Sequence, residues 1–236
     1  MDKMILMIGG HEIYLEAARV KESEAEMILG YGHNMRLDGR PDAHLVTVTV
    51  YTPDKERLAP VPEAKDEYYS VRFDCLKPGY YTTFVDLSPM IYSNTKKEGF
   101  KEGPKNEYKD VVYAGAWHQM AKTIVAADSA DNYMPEHLHG ILDIVPNESI
   151  LVNGKDVELT LFYEGRPLSN TDIKAVSKST GKEMAVVATD KDGIARISVT
   201  GEGEWMFLSR HRDPSKGIED KYDEVVFVTT LVMRTA

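Results

Sequence analysis

The chain has 236 residues, of which 42% are hydrophobic and 28% are charged, a balance typical of a folded soluble protein. Acidic residues outnumber basic ones by 38 to 28, giving a net charge of −10. This charge disfavours nucleic acid and anionic membrane surfaces, which need basic patches, and it modestly favours cations. The single cysteine, Cys75, excludes an internal disulfide and a zinc site built from several thiolates.

The sequence predicts no membrane-spanning helix, because no stretch approaches the ~18 consecutive apolar residues that a span needs. The first ten residues, MDKMILMIGG, contain one lysine and a short apolar run. That run is shorter than the apolar region of about 7–15 residues in a secretory signal. The segment fits either a cytoplasmic protein or an exported one whose signal is not evident here.

Alternating polarity predicts strands through the first third of the chain. The predicted strands are residues 10–20, 25–31, 45–51, 68–74 and 80–87. The third, LVTVTVY, is the strongest because β-branched residues occupy alternate positions. His33 follows the second strand, where a loop can aim it. Cys75 continues the apolar face of the fourth strand, which favours a small core residue over a nucleophile.

The middle of the chain is less regular. Residues 88–110 carry glycines, prolines and many lysines with little apolar periodicity, so we predict a long loop. The lysines are interpreted as a solvated surface, with a docking surface as the alternative. Residues 111–127 fit either a helix or a strand, and we favour a strand because β-branched residues flank the segment.

After Pro146 the pattern resets to short strands about 8–12 residues apart with turn signals between them, which is typical of a β-sandwich. We therefore predict an all-β protein of two β-sandwich domains, 1–146 and 147–236. The second is expected to be transthyretin-like or immunoglobulin-like. Asp190-Lys-Asp-Gly resembles the start of a calcium loop, but a hairpin turn explains it more simply.

Histidines are the main candidates for chemistry. His137 and His139 are separated by one residue, so in an extended chain their imidazoles point to the same face. His118 lies shortly upstream, and imidazole suits nickel, cobalt, copper and zinc. Glu12 and Glu136 each adjoin a candidate histidine and are interpreted as solvated, because neighbours on a strand face opposite sides. His44 is interpreted as a surface residue.

Several segments resemble the extracytoplasmic component of nickel/cobalt uptake systems, a family often listed as a domain of unknown function. They are GHEIYLE from Gly10, GHN from Gly32, GILDIVP from Gly140, LFYEGRPL from Leu161 and TDKDGIA from Thr189. The resemblance covers about the whole chain in the same order. It implies secretion, a position outside the cytoplasm, and a membrane transporter as partner. The family's signal is cut close to His11, so a matured terminus would add a free amine to that imidazole.

The predicted function is binding of nickel or cobalt for delivery to an uptake transporter, with no catalytic role. The predicted metal ligands are His11, His33, His118, His137, His139 and His211. His211 is the weakest candidate because the arginines on either side repel a cation. Two alternatives remain open at this point: a copper enzyme that uses an amino-terminal histidine, and a metal-free adhesion or carbohydrate-binding module. Histidines that cluster in space favour a metal function, whereas scattered histidines favour the metal-free module.

Overall fold

The computed structural model describes residues 11–16, 18–127, 133–138 and 140–236, and these are almost entirely β-structure. One-turn 3-10 helices occur at Ala43–Leu45, Lys105–Glu107 and Pro214–Lys216. The strands in chain order are β1 Glu12–Leu15, β2 Arg19–Lys21, β3 Glu24–His33, β4 Arg36–Leu37, β5 Val46–Tyr51, β6 Arg57–Leu58, β7 Glu63–Ala64, β8 Tyr69–Asp74, β9 Gly79–Thr95, β10 Gly99–Glu102, β11 Val111–Ala127, β12 Leu142–Pro146, β13 Asp156–Tyr163, β14 Arg166–Pro167, β15 Asp172–Ser177, β16 Lys182–Ala188, β17 Ile194–Ser198, β18 Glu204–Asp213 and β19 Glu224–Arg234. The predicted all-β sandwich class is confirmed.

The strands form three sheets. The central sheet has nine strands in the order β16-β15-β18-β19-β11-β9-β5-β6, and β10 also pairs with β9. A six-stranded sheet runs β1-β3-β8-β7, with β2 and β4 on β3. A four-stranded sheet runs β12-β13-β14, with β17 on β13. The β11–β19 pair is parallel, whereas the other ladders between described strands are antiparallel.

The central sheet is covered on both faces, so the fold has three layers. One hydrophobic core packs the four-stranded sheet against β11, β18 and β19, through side chains such as Leu161 and Phe227. A second core packs the six-stranded sheet against the opposite face, through Leu29 and Val85. β19 is buried from Glu224 to Met233, which explains its nearly continuous apolar run. A strand that faces a core on both sides does not alternate with polar residues.

The structure corrects the prediction of a long loop at residues 88–110. β9 continues to Thr95 and pairs with β11 over most of its length, and β10 folds back on it. Serine, threonine and asparagine on this strand hid the alternation that apolar residues would have shown. Within this segment, residues 96–98 and 103–110 lie outside strands. The choice of a strand for residues 111–127 is confirmed.

Strands from both sides of residue 146 share the central sheet, because β18 and β19 pair into it beside β9 and β11. The division into domains 1–146 and 147–236 stays a prediction. Cys75 is buried, as predicted. Within the described ranges, no helix is long and apolar enough to cross a membrane.

Candidate functional site

A two-residue turn positions His33 at the end of β3. Gly32 pairs with Leu37 and His33 with Arg36, so Asn34 and Met35 form the turn, with φ of 52° and 61°. Positive φ at both central positions defines a type I′ hairpin turn, in which asparagine is favoured. Gly32 is needed because a Cβ there would lie 1.8 Å from the Arg36 carbonyl oxygen. The predicted position of His33 at a strand end is confirmed.

The pairing of β1 with β3 brings His11 to the same end of the sheet. The last pair is Glu12 with Gly32, so His11 precedes it on one strand and His33 follows it on the other. The His11 ring stacks on Tyr31, with 5.1 Å between centroids, and its Nε2 lies 2.7 Å from Asp38 Oδ2.

β1 is fixed to the central sheet by hydrogen bonds through Gln119. The Ile13 N–H donates to Gln119 Oε1 at 3.0 Å, and Gln119 Nε2 donates to the His11 carbonyl at 3.3 Å. Thr230 Oγ1 also donates to the Ile13 carbonyl at 2.8 Å. These bonds hold the backbone beside His11 against β11 and β19.

Glu12 is 1% exposed, so its interpretation as a solvated residue was wrong. Both faces of β1 are covered, which buries a side chain that an edge strand would leave in water. The Asn34 N–H donates to Glu12 Oε1 at 2.6 Å. Oε2 lies 3.8 Å from both His33 Nδ1 and Arg210 Nη2. Burial raises the pKa of Glu12, while the Asn34 bond and the nearby His33, Arg210 and Lys174 charges oppose that rise.

His118 lies in a separate place, on the opposite face of the central sheet. The β9–β11 register shifts between Trp117 and Gln119, opposite Pro89, which has no N–H to give to the ladder. Such irregularities re-aim side chains. His118 Nε2 lies 3.0 Å from both carboxylate oxygens of Asp86, and its ring is 5.8 Å from that of Phe227.

His137 is held by a buried ion pair. Its Nδ1 lies 2.9 Å from Asp143 Oδ2, and its ring stacks on Phe162 with 5.2 Å between centroids. The other Asp143 oxygen accepts from Lys122 Nζ, and both of these side chains are almost fully buried. A carboxylate on one imidazole nitrogen fixes the tautomer and leaves the other nitrogen for a ligand.

His211 packs on Tyr163, with 4.4 Å between ring centroids, and Tyr163 in turn contacts Phe227. Burial lowers the pKa of His211, and the nearby Asp213 carboxylate opposes that shift. The neighbouring Arg212 is paired with Glu224.

A family model described as "Domain of unknown function (DUF4198)" matches residues 8–213. The chain belongs to this family. The match includes each of the six predicted ligands. Comparison with curated proteins finds no match.

Solved structures similar to this DUF4198 chain are distant. The BSP domain of a biofilm-associated protein is 11% identical over 95% of this chain, with a TM-score of 0.24, and the chain spans 29% of its length. The D0-D1 domain of intimin is 12% identical over 95% of this chain and 98% of its own, with a TM-score of 0.24. Domains MG0-NIE-MG1 of α-2-macroglobulin from Escherichia coli are 9% identical over 96% of this chain and 97% of their own, with a TM-score of 0.26.

In this DUF4198 member, the described histidines fall into separate environments rather than one cluster. His11 and His33 share one end of the six-stranded sheet, whereas His118 and His211 contact rings of the other core and His137 stacks on Phe162. In the part of the chain that the structure describes, no three His, Cys, Asp or Glu side chains are grouped to hold a metal ion. The metal role of these histidines stays a prediction. His139 and the segment before His11 lie outside the described residues. His44 is exposed, as predicted.

Sequence reasoning missed the charged partners of the histidines. Lys122 and Asp143 each interrupt an apolar strand, in MAKTIV and ILDIV. A charge inside an apolar run is rarely buried unless it is paired, so each one pointed to a buried partner. Arg210 gave no comparable signal, because only the pairing of distant strands brings it to Glu12. We call His11, Glu12, His33 and Asp38 the amino-terminal group.

Proposed function

We propose that this protein binds a divalent transition metal, nickel or cobalt first, at the amino-terminal group, and delivers it outside the cytoplasm to an uptake transporter. The observation that carries the proposal is that His11 and His33 flank the last pair of the β1–β3 ladder, with a carboxylate beside each imidazole. The resemblance to nickel/cobalt uptake components supports the same cargo. The chain makes and breaks no bond in this function.

The donor types of the amino-terminal group fit such an ion. Imidazole nitrogen and carboxylate oxygen are ligands for nickel, cobalt and zinc, whereas a soft copper(I) site favours thiolate or thioether sulfur. Asp38 contacts His11 Nε2 and so orients this imidazole. His33 is 58% exposed at its side chain, so its ring has room to turn towards an ion. A partial set of protein ligands suits a cargo ion, because the ion must leave again.

Calorimetric titration of the metal-stripped full chain with nickel chloride at neutral pH tests the proposal. We expect one site of micromolar or tighter affinity that His11→Ala/His33→Ala abolishes. His44→Ala is the matched control, because it removes an exposed imidazole away from the group. Since neutral imidazole binds metal, affinity should fall as the pH drops below about 6.5.

Other outcomes redirect or refute the proposal. If His137→Ala/His139→Ala abolishes nickel binding and His11→Ala/His33→Ala retains it, the site lies in the stretch that precedes β12. Redox activity with copper and none with nickel favours the copper enzyme. The absence of nickel and cobalt binding, both in the intact chain and in a chain that begins at His11, refutes metal delivery and favours a metal-free module.

A further inference from the structure

We propose that β16 is a dimerisation strand, which pairs antiparallel with β16 of a second copy of this chain and joins the two central sheets into one. β16 spans Lys182–Ala188 and forms one edge of the central sheet, where its ladder partner among the described strands is β15. This role is independent of metal binding, because β16 contains no residue of the amino-terminal group.

The two edges of the central sheet differ in how well they resist pairing with another chain. The far edge is β6, which is two residues long and is followed closely by Pro60 and Pro62. Short strands and prolines block the addition of a further strand, because proline has no N–H to donate. β16 has seven residues and no proline. Its length and composition therefore allow another strand to pair with it.

The side chains in the middle of β16 are apolar although they lie at the surface. Met184 is 43% exposed and Val186 is 47% exposed. Ala188 is also exposed, and no charged residue interrupts residues 184–188. Ala185 and Val187 alternate with these residues and pack against the core beneath the four-stranded sheet. A strand that covered this edge would remove apolar surface from water, which favours association.

The hydrogen-bonding pattern places the backbone groups of Val186 at the free edge. Just beyond β16, the Thr189 N–H donates to the Thr171 carbonyl, so Thr189 bonds towards the β15 side. Alternate residues of an antiparallel strand bond to the same neighbour. Val187 therefore also bonds towards β15, and the N–H and C=O of Val186 and Ala188 point away from it. A second strand centred on Val186 would pair with these groups.

Centring the pair on Val186 makes the contact self-complementary, as a two-fold dimer requires. Val186 then lies opposite itself, and Ala185 lies opposite Val187 of the other copy. The β15–β16 register shifts at Met184, so the regular ladder available to a partner begins at Ala185. The residues that face each other across this centre are all apolar.

The charges at the two ends of β16 also suit antiparallel pairing with a second copy. Lys182 begins the strand and Asp190 follows its end. Antiparallel pairing brings the start of one strand to the end of the other, so Lys182 of each copy approaches Asp190 of the other copy. Glu183 is already paired with Lys174 of its own sheet at 2.6 Å. Opposite charges therefore flank an apolar centre at both ends of the contact.

Analytical ultracentrifugation of the full chain over a range of concentrations measures self-association. Pairing through one strand buries less than the roughly 800 Å² per partner of a stable complex, so we expect a reversible dimer with a Kd of about 10–100 µM. Salt at about 0.15 M screens the repulsion between two acidic chains. Val186→Lys places a charge at the centre of the pair and should raise this Kd at least about tenfold.

Val61→Lys is the matched control for Val186→Lys. It adds the same charge at a valine that is 89% exposed, three residues after β6 at the far edge of the central sheet. This variant should dimerise like the unmodified chain. Thermal unfolding of both variants monitors folding.

Cysteine variants test the register of the pair. In Val186→Cys the two thiols would lie on a hydrogen-bonded pair with Cα atoms about 5.5 Å apart, within reach of a disulfide. Oxidation with diamide should therefore cross-link this variant. In Ala188→Cys the two thiols would be offset by four residues, or about 13 Å, and should not cross-link. The native Cys75 is buried, so the unmodified chain is the blank.

Four results would overturn the proposal. A chain that stays monomeric well above the expected Kd leaves this edge free for a strand of another protein. A dimer that Val186→Lys does not weaken, or that Val61→Lys weakens equally, uses another surface or responds to charge alone. Cross-linking of Ala188→Cys in place of Val186→Cys contradicts the register. Growth beyond a dimer contradicts a closed two-fold pair. If Val186→Lys does not fold, the two cysteine variants decide.

Discussion

Replacing Lys122 with methionine removes the cation from the buried pair that anchors His137. The Lys122 and Asp143 side chains are 4% and 1% exposed, so water cannot solvate the carboxylate left behind. Breaking a buried ion pair by removing one partner costs about 3–5 kcal/mol. The His137 contact to the other Asp143 oxygen offsets part of this loss, so we expect a destabilisation of about 3 kcal/mol, at the lower end of that range.

Urea denaturation followed by circular dichroism measures the free energy of unfolding. For a chain of this size, about 3 kcal/mol corresponds to a fall in Tm of roughly 6–12 °C. The matched control is Lys101→Met, which removes an exposed partner of Glu98 and should cost less than about 1 kcal/mol. A third variant, Lys122→Met/Asp143→Leu, replaces both charges and should recover most of the stability lost in the single variant.

The reasoning fails if Lys122→Met costs no more than the Lys101→Met control. It also fails if Lys122→Met/Asp143→Leu loses as much stability as the separate losses of Lys122→Met and Asp143→Leu added together, because the charges would then act independently.

Three further predictions concern other contacts. Glu224 is buried, which acts to raise its pKa, but hydrogen bonds from Arg212 and Tyr113 outweigh burial and lower the pKa below 4.5. Glu224→Gln should therefore cost about 1–2 kcal/mol of unfolding free energy near pH 7. This loss should disappear as the pH falls through the lowered pKa, which measurements of the free energy of unfolding near pH 7 and at about pH 3 would show. Gly32→Ala should destabilise the β3–β4 turn by about 2 kcal/mol or more, because the added Cβ meets backbone rather than a movable side chain; an unchanged Tm would contradict the turn geometry. Phe227→Ala should cost about 3–5 kcal/mol in chemical denaturation, because the ring is buried between the four-stranded and central sheets.

The sequence was sufficient for the class of fold, because β-branched alternation and turn residues are local signals. Val46–Tyr51 follows directly from them, and they favoured a strand over a helix for the 17-residue β11. The pairing order was not predictable in the same way. β11 pairs in parallel with a strand about a hundred residues later, and no periodicity within either segment indicates its partner. Likewise, polar residues in the second half of β9 face neighbours that only the folded sheet supplies.

The candidate site, like the fold, was predictable from the sequence only where local signals determine it. The position of His33 at a strand end follows from the Gly-His-Asn sequence and turn chemistry. The burial of Glu12 does not, because it depends on a third layer covering what alternation assigns to solvent. The pairing of Glu12 with Arg210 depends on tertiary contacts across 198 positions of the chain (210 − 12). Sequence reasoning finds histidines as candidates more readily than it finds the carboxylates that orient them.

The parallel pairing of β11 with β19 has a consequence for biosynthesis. Thr123 and Val232 are 109 positions apart, yet their strands are neighbours at the middle of the central sheet. During translation, β11 emerges long before β19, and its apolar edge has no native partner in that interval. Non-local pairing of this kind is slow, and an unpaired apolar edge invites association with other chains. A nascent chain that stops before residue 224 should therefore depend on chaperones and aggregate without them.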